Sequence, residues 1–225
     1  MNVVKEERRA RGFDLISFDI FDTLITRNVL HPTDLFTLVG HEILGATEEA
    51  IIFRDRRVEA ESNARAKSES GEVCLKDIYR ELFSYYGIKA AILKDCEIKA
   101  EKKSCHPREK WVRLFHEYVK SGKRVVLISD MYLSSDVIKD ILTDCGISGY
   151  SNIYISNECG CDKVSGKLYE IAEEKEGLKK CRHIHYGDSI RADYMGARKA
   201  GVTPRLVLKE KWLNRLLRKC VGHLG

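Results

Sequence analysis

The stretch Leu15-Ile16-Ser17-Phe18-Asp19-Ile20-Phe21-Asp22-Thr23-Leu24 decides how this chain folds. An apolar run rich in strand-forming residues ends at Asp19, where the pattern breaks, and this predicts a buried strand over 15–19. In an open parallel α/β sheet, ligands bind at the carboxyl ends of the strands. We therefore expect the Asp19 carboxylate to face a ligand crevice as the reactive group.

Length and composition limit the classes of protein that the chain can represent. Its 225 residues suffice for one domain with a sizeable core, or for a domain that carries an insert. The net charge of +5 is spread too diffusely to indicate nucleic-acid binding. No run approaches the roughly 18 apolar residues of a membrane-spanning helix. Since the first residues also lack an apolar signal segment, we expect a cytoplasmic protein whose eight cysteines are free thiols.

Most of the chain alternates between strand and helix patterns. Strands are predicted at 15–19, 124–129, 152–156, 183–187 and 205–208, and helices at about 111–119, 135–144, 165–176 and 193–200. Such alternation predicts an α/β fold with a parallel sheet. Residues 1–12 are charged and are interpreted as a loose lead-in, and 20–31 as a turn or small flap.

The segment 31–106 has a different character, because it is charged, helical and almost free of strand patterns. Helices are predicted to begin near Pro32 and to cover 47–68, 75–86 and 90–104. We interpret 31–106 as an all-helical domain inserted into a discontinuous core of 1–30 and 107–225. An insert after the first strand would hang over the carboxyl edge of the sheet.

Four stretches that end or follow strands offer charged or hydroxyl side chains. These are Asp19 with Thr23, then Ser129, then Lys163, and finally Asp188 with Asp193. A carboxylate can attack phosphorus and form an aspartyl-phosphate, provided that positive charge offsets the meeting of two anions. Lys163 can supply a point charge, and Mg²⁺ bound by one or two carboxylates can supply the rest. Ser129 can donate a hydrogen bond to a phosphate oxygen.

These stretches together resemble the four motifs of the haloacid dehalogenase (HAD) superfamily. The matching segments are Phe-Asp-Ile-Phe-Asp-Thr-Leu at 18–24, Leu-Ile-Ser at 127–129, Lys163 with 164–169, and Tyr-Gly-Asp-Ser at 186–189 with Asp193. The resemblance covers about 13–208 and implies a Rossmann-like parallel-sheet core with a helical type-1 cap. It also implies a Mg²⁺-dependent hydrolase.

The resemblance assigns roles to individual residues. Asp19 would be the nucleophile, with Ser129 and Lys163 as further catalytic residues. Asp19, the Phe21 carbonyl and Asp188 would bind Mg²⁺, with Asp193 in support. The expected substrate contacts are Thr23, Ser129, Asp130, Lys163 and Arg54. Arg54 belongs to a basic stretch of the insert that can reach a substrate phosphate or carboxylate, although a solvated helix face is the alternative.

Phe21 departs from the pattern of the family's phosphatases, most of which carry an aspartate there as general acid/base. Asp22 lies one residue later, and a shift of one residue redirects the side chain. A phosphatase with this sequence would therefore be slow, would use Asp22 or a residue of the insert as the acid, or would prefer a leaving group that needs no proton. An aromatic residue at this position also occurs in the family's metal-independent dehalogenases, but those lack the Gly187-Asp188 pair. The favoured prediction is a phosphatase of a small phosphomonoester. A C–halogen dehalogenase is one alternative.

The second alternative is a weakly active or non-catalytic regulatory module. The segment 129–134, Ser-Asp-Met-Tyr-Leu-Ser, resembles a branch of the family associated with polysaccharide glycosyltransferases. The expected partners are a small phosphorylated metabolite and either a second copy of the chain or a glycosyltransferase-associated protein. The tail, 209–225, has the pattern of an amphipathic helix that lies on an anionic membrane, on the core or on a partner subunit.

Overall fold

The computed structural model describes residues 3–178 and 182–208, and within them a parallel five-stranded sheet forms the centre of the molecule. The strands in chain order are β1 (Leu15–Phe18), β2 (Ile25–Arg27), β3 (Cys105–Pro107), β4 (Arg124–Ser129), β5 (Asn152–Ile155), β6 (His183–Gly187) and β7 (Thr203–Leu206). The sheet has the order β5-β4-β1-β6-β7, and all its neighbouring strands are parallel. The predicted α/β class with a Rossmann-like parallel sheet is confirmed.

Helices cover the sheet and fill the chain between β2 and β3. They are α1 (Val3–Ala10), α2 (Asp34–Leu44), α3 (Thr47–Lys67), α4 (Leu75–Tyr86), α5 (Lys89–Ser104), α6 (Glu109–Lys120), α7 (Ser135–Asp144), α8 (Ser156–Cys159), α9 (Lys167–Lys175) and α10 (Ala197–Lys199). A π-helical turn, Ile190–Gly196, runs directly into α10. None of the described helices is both long and apolar enough to cross a membrane.

Strand β1 occupies the middle of the sheet because its side chains are apolar or small and all of them are buried. The ring of Phe18 stacks on Tyr186 of β6 at a centroid distance of 4.8 Å, and it meets Phe115 of α6 edge to face at 5.8 Å. These contacts hold the end of β1 in the core. Asp19 is the next residue, so the fold fixes its position at the carboxyl edge.

The segment between β2 and β3 forms the four helices that the sequence predicts there, α2 to α5. It leaves and rejoins the rest of the chain through a short antiparallel pair, in which Thr26 lies opposite His106. The sequence pattern indicated only a turn or flap over 20–31, so this pair was not predicted. Because β2 and β3 are hydrogen-bonded to each other, the two ends of the helical segment lie side by side.

The expectation of a loose lead-in at 1–12 was wrong, because α1 forms there. Its Glu6 is buried, and the carboxylate accepts a hydrogen bond of 2.6 Å from Arg205 of β7. The backbone carbonyl of Glu6 also accepts a 3.0 Å bond from the hydroxyl of Tyr118. These partners lie more than 100 residues away in sequence, so local charge patterning gave no sign of them.

Two other sequence expectations concern cysteines and the tail. The cysteines at 74, 96, 105, 145, 159 and 161, which are those among the described residues, are all free. The expected amphipathic helix at 209–225 lies outside the described residues.

A buried ion pair holds α3 and α5 together. Arg57 is fully buried, and its guanidinium donates two hydrogen bonds of 2.8 Å to the buried carboxylate of Glu97. The Tyr79 hydroxyl donates a third hydrogen bond, of 2.7 Å, to the same carboxylate. The rings of Phe36 and Tyr132 pack on the guanidinium with centroids 4.5 and 4.8 Å away. Since Tyr132 follows β4, this contact also joins the helical segment to the sheet.

Neutralising one partner of this pair is expected to cost much more stability than neutralising an exposed pair. In Glu97→Gln the buried Arg57 loses its fully buried counter-charge and keeps only the partly exposed Glu61, so the free energy of unfolding should fall by about 3 kcal/mol. Lys67→Gln removes the exposed ion pair with Glu81, in which Lys67 is 66% exposed, and should cost less than about 1 kcal/mol. Urea denaturation measures both values, and equal losses would contradict the role assigned to the buried pair.

Candidate active site

Asp19 and Lys163 form the centre of the candidate site. Asp19 follows β1 and is only 5% exposed. The Lys163 ammonium lies 2.7 Å from Oδ1 of Asp19 and 2.6 Å from Oδ1 of Asp193. The backbone N–H of Lys163 donates a 2.9 Å hydrogen bond to the carboxylate of Asp130, which anchors the loop between α8 and α9. A buried cation therefore bridges two buried carboxylates.

Three carboxylates converge beside this lysine. Oxygen atoms of Asp19, Asp188 and Asp193 all lie within 4.8 Å of one another. Carboxylate oxygens are the ligands that Mg²⁺ and other hard divalent cations prefer. The Asp188 carboxylate also accepts a 3.4 Å hydrogen bond from the buried hydroxyl of Thr23. The donor set present here therefore fits a divalent cation.

Two glycines allow the π-helical turn to approach the site closely. A Cβ at Gly187 would lie 2.2 Å from Cγ of Asp193, and one at Gly196 would lie 2.0 Å from the carbonyl oxygen of Lys163. Neither distance accommodates a side chain. The N–H of Ser189 donates a 2.8 Å hydrogen bond to Oδ2 of Asp193, which fixes the second oxygen of this carboxylate.

Burial and neighbouring charges shift the pKa values of Asp19 and Asp193 in opposite directions. Burial raises the pKa of Asp19 to about 8, and the neighbouring Asp193 and Asp188 charges add to this effect against the opposing charge of Lys163. Burial also acts to raise the pKa of Asp193, but Lys163 and His185 outweigh it and hold that pKa below its ordinary value. Burial acts to lower the pKa of Lys163, but the charges of Asp19 and Asp193 outweigh it and raise this pKa well above its ordinary value. Lys163 is therefore a cation at neutral pH.

A cavity of about 700 Å³ opens above Asp19. Its floor includes Ser129, the last residue of β4, and Asp130, which follows it. Its roof comes from the helical segment and includes Phe36, Val58, Glu61 and Arg65. The cavity is thus polar where the carboxylates lie and partly apolar where the helices cover them.

The structure brings together most of the residues that the sequence singled out. Those that line the cavity are Asp19, Phe21, Ser129, Asp130, Lys163, Asp188 and Asp193. Thr23 does not line the cavity, and its hydroxyl donates a hydrogen bond to the Asp188 carboxylate.

Arg54 also lies outside the cavity lining, and its expected contact with a substrate stays a prediction. Its guanidinium pairs with Asp55 at 2.8 Å. Arg65, three helical turns further along α3, is the arginine that reaches the cavity. The spacing of 54, 58, 61 and 65 places all four residues on one face of α3, but only the packing of α3 decides which part of that face covers the site.

Phe21 is covered by a cation that the sequence analysis did not identify. The guanidinium of Arg27 lies 4.3 Å from the centroid of the Phe21 ring. Two hydrogen bonds of 2.8 and 3.1 Å fix Arg27 to the buried carboxylate of Glu101 on α5. The neighbouring Asp22 has a positive φ of 57° and lines the cavity, and its Oδ1 accepts a 3.3 Å hydrogen bond from Thr26.

A family model described as haloacid dehalogenase-like hydrolase matches residues 13–201. A search of curated proteins finds no significant match. The family match covers β1, the candidate site and the helical segment together.

Solved structures with the same fold include three from bacteria. The HAD-hydrolase YfnB from Bacillus subtilis, bound to magnesium, is 15% identical over 92% of this chain and 100% of its own, with a TM-score of 0.59. The 2-haloacid dehalogenase from Pseudomonas syringae is 16% identical over 84% of each chain, with a TM-score of 0.63. The L-2-haloacid dehalogenase from Xanthobacter autotrophicus is 13% identical over 92% of this chain and 83% of its own, with a TM-score of 0.59. At these identities the likeness establishes the fold.

The raised pKa of Asp19 predicts a pH-dependent stability in the metal-free protein. Because the pKa rises from 3.8 to about 8 in the folded chain, the stabilisation by the protonated carboxyl is complete at acidic pH and is lost as the pH rises towards 8. Asp19→Asn cannot ionise. With a chelator at pH 8, it should exceed the wild type in free energy of unfolding by on the order of 1–3 kcal/mol, and the gap should shrink at pH 5.

The exposed Asp95 provides the control, since its side chain is 67% exposed and Asp95→Asn should leave this pH dependence unchanged. Denaturant titrations at the two pH values measure the effect. A variant Asp19→Asn that is less stable than the wild type at pH 8 would contradict the assignment.

Proposed function

Because the chain belongs to the haloacid dehalogenase-like hydrolase family, we propose that it is a Mg²⁺-dependent phosphatase that acts on a small phosphomonoester through an aspartyl-phosphate on Asp19. The observation that carries this proposal is the convergence of Asp19, Asp188 and Asp193 around the Lys163 ammonium. Three carboxylates with one lysine need further positive charge before an anionic substrate can approach. A divalent cation supplies that charge.

In the proposed first step, an oxygen of Asp19 forms a bond to phosphorus while the bond from phosphorus to the leaving-group oxygen breaks. Lys163 neutralises the attacking carboxylate and holds it in place. The buried hydroxyl of Ser129, at the end of β4, is the proposed hydrogen-bond donor to a phosphoryl oxygen. In the second step, water attacks phosphorus, releases inorganic phosphate and a proton, and restores the Asp19 carboxylate.

The proposed cation ligands are the carboxylates of Asp19 and Asp188 and the carbonyl of Phe21, with Asp193 in support. Mg²⁺ bound there supplies positive charge for the phosphoryl oxygens. The fit rests on an all-oxygen donor set whose carboxylates lie within 4.8 Å of one another.

The residues 31–106 are the proposed cap, placed over a core of 1–30 and 107–225. Support comes from the cavity, whose roof is formed by α2 and α3. The N–H of Leu75 on α4 donates a 2.9 Å hydrogen bond to the carbonyl of Tyr132, which joins the cap to the loop after β4. A covered cavity of this size suits a small phosphorylated metabolite and limits the access of water.

The Phe21 side chain cannot donate a proton to the leaving group. In the roof, Oε2 of Glu61 accepts a hydrogen bond from Arg57 and Oε1 accepts two from Arg65, so both oxygens of this carboxylate already have guanidinium partners. General acid catalysis typically contributes 10²–10⁴-fold to a rate. The proposed phosphatase therefore acts best on leaving groups that depart readily as anions.

A C–halogen hydrolase is the second candidate, and the Phe21 side chain is the observation that favours it. In that reaction, Asp19 attacks carbon, halide departs, and water hydrolyses the resulting ester. The Asp188 carboxylate beside the nucleophile favours the phosphatase, because attack on carbon needs no cation ligand there.

Activity measurements distinguish the two candidates. The wild type is expected to release phosphate from p-nitrophenyl phosphate with Mg²⁺ and to lose this activity with a chelator. Asp19→Asn and Asp188→Asn should each reduce kcat/KM by at least about 10³-fold, since one removes the nucleophile and the other a cation ligand. Asp95→Asn is the matched control.

Release of halide from a 2-haloacid is measured in parallel. Halide release that is indifferent to the chelator and absent in Asp19→Asn would establish the second candidate instead. Equal phosphatase activity in the wild type and Asp19→Asn would contradict the first.

The lack of an acid at position 21 predicts a strong dependence on the leaving group. Across a series of aryl and alkyl phosphates, kcat/KM should fall steeply as the pKa of the leaving alcohol rises. Phe21→Asp introduces a carboxyl beside Arg27 and should raise the rate for the poorest leaving groups by about 10-fold or more, with little gain for p-nitrophenyl phosphate. A shallow dependence in the wild type would show that another residue supplies the proton.

A further inference from the structure

A chain of polar side chains crosses the protein core beneath the candidate site. The hydroxyl oxygen of Ser17 on β1 lies 2.7 Å from Nε2 of His183 and 2.7 Å from Nδ1 of His185, both on β6. The three side chains share one face of the sheet, since Ser17 and His185 are paired in register and the histidines are two residues apart. All three are at most 2% exposed.

Each end of this chain meets a carboxylate. Nδ1 of His183 lies 2.9 Å from Oε1 of Glu173 on α9, whose side chain is 13% exposed. Nε2 of His185 lies 3.2 Å from Oδ1 of Asp193. The chain therefore runs from near the surface to the oxygen that also accepts the hydrogen bond from Lys163.

The direction of the hydrogen bonds follows from the Asp193 end. An ionised carboxylate only accepts, so Nε2 of His185 must donate to Asp193. A neutral imidazole that donates through Nε2 carries no hydrogen on Nδ1. Nδ1 then accepts from the hydroxyl of Ser17, and the Ser17 oxygen accepts from Nε2 of His183. The remaining contact, between Nδ1 of His183 and Oε1 of Glu173, contains one further hydrogen. It lies at the end of the chain of side chains that is nearer the surface.

Packing alone does not require polar groups at these positions. Buried polar side chains cost free energy unless each one finds a partner, and an apolar core of the same shape is often at least as stable. The ring of Tyr169 on α9 closes over His185 at a centroid distance of 4.9 Å, so water is kept away from the chain. The chain meets the site at a single atom, Oδ1 of Asp193.

That atom controls how Lys163 is shared between two carboxylates. Oδ1 of Asp193 accepts from both Lys163 and His185. Without the second donor, Asp193 attracts the ammonium more strongly, and the ammonium moves away from Asp19. The nucleophile then loses part of the charge that neutralises and orients it.

We propose that His185 is a positioning residue for the nucleophile: backed by Ser17 and His183, it holds Asp193, and Asp193 in turn holds Lys163 against Asp19. This inference goes beyond the proposed function, because it applies whether Asp19 attacks phosphorus or carbon. It rests only on the assignment of Asp19 as nucleophile.

Two substitutions at His185 separate positioning from packing. His185→Leu removes the donor to Asp193 and should lower kcat for p-nitrophenyl phosphate with Mg²⁺ by roughly 10–100-fold, with little change in KM. His185→Gln places an amide N–H where Nε2 lies and should recover most of that loss. Equal kcat values for the Leu and Gln variants would overturn the proposal.

Ser17→Ala and Tyr169→Phe extend the test along the chain. Ser17→Ala removes the hydrogen bond between the Ser17 hydroxyl and Nδ1 of His185. It should lower kcat, but by less than His185→Leu does. Tyr169→Phe removes a hydrogen bond of 3.1 Å to the carbonyl of Ala192 in the π-helical turn, and it leaves the contacts among Ser17, His183 and His185 intact. It should therefore keep the wild-type kcat. A loss in Tyr169→Phe as large as that in Ser17→Ala would show that only packing matters.

A spectroscopic measurement on the metal-free protein needs no turnover. In long-range ¹H–¹⁵N spectra of histidine-labelled protein, His185 should show hydrogen on Nε2 and none on Nδ1, and Ser17→Ala should shift the Nδ1 signal. The opposite tautomer, or an Nδ1 signal that ignores Ser17→Ala, would overturn the proposal even if a His185 variant fails to fold. If p-nitrophenyl phosphate is not hydrolysed, the proposed function fails while this measurement still decides the inference.

Discussion

The buried contact of Lys163 with Asp19 and Asp193 is the interaction on which the site depends. An isolated charge at this depth would cost several kcal/mol, so Lys163 and Asp193 persist as ions because each compensates the other. Much of the local structure serves that contact. Asp130 anchors the lysine loop, and Gly196 lets the π-helical turn approach the Lys163 carbonyl. The charge of Lys163 does not fully offset the burial of Asp19, because burial still raises the pKa of Asp19.

The sequence allowed the sheet and the site residues to be predicted for one physical reason: parallel strands end at a common edge, so residues that follow different strands meet there. That logic found Asp19, Lys163 and Asp188. It did not find His183 and His185, because both read as ordinary members of a buried strand, and their partners come from β1, α9 and the π-helical turn. That Arg65 lines the cavity and Arg54 does not has a similar cause, since the sequence pattern defines the face of α3 but not how α3 packs on the rest of the protein.

Phe21 and Arg27 give this site its particular chemical character. The arrangement provides a nucleophile, a cation and a set of oxygen ligands, yet an aromatic ring under a guanidinium occupies the position of the usual acid. Loss of general acid catalysis corresponds to roughly 3–5 kcal/mol of barrier. In the proposed phosphatase, such a site would stabilise the attack of Asp19 on phosphorus, while the departure of the leaving group would depend on its own stability as an anion. The family match defines a hydrolase, and in the proposed phosphatase Phe21 would narrow the range of substrates that react well.

The central claim is that Asp19 receives the transferred group covalently. Acid quenching during turnover of p-nitrophenyl phosphate, followed by peptide mass spectrometry, tests it most directly. The account predicts a peptide that contains Asp19 with one added phosphoryl group, absent when Mg²⁺ is withheld. Steady phosphate release with no adduct on that peptide, or an adduct on another residue, would contradict the account.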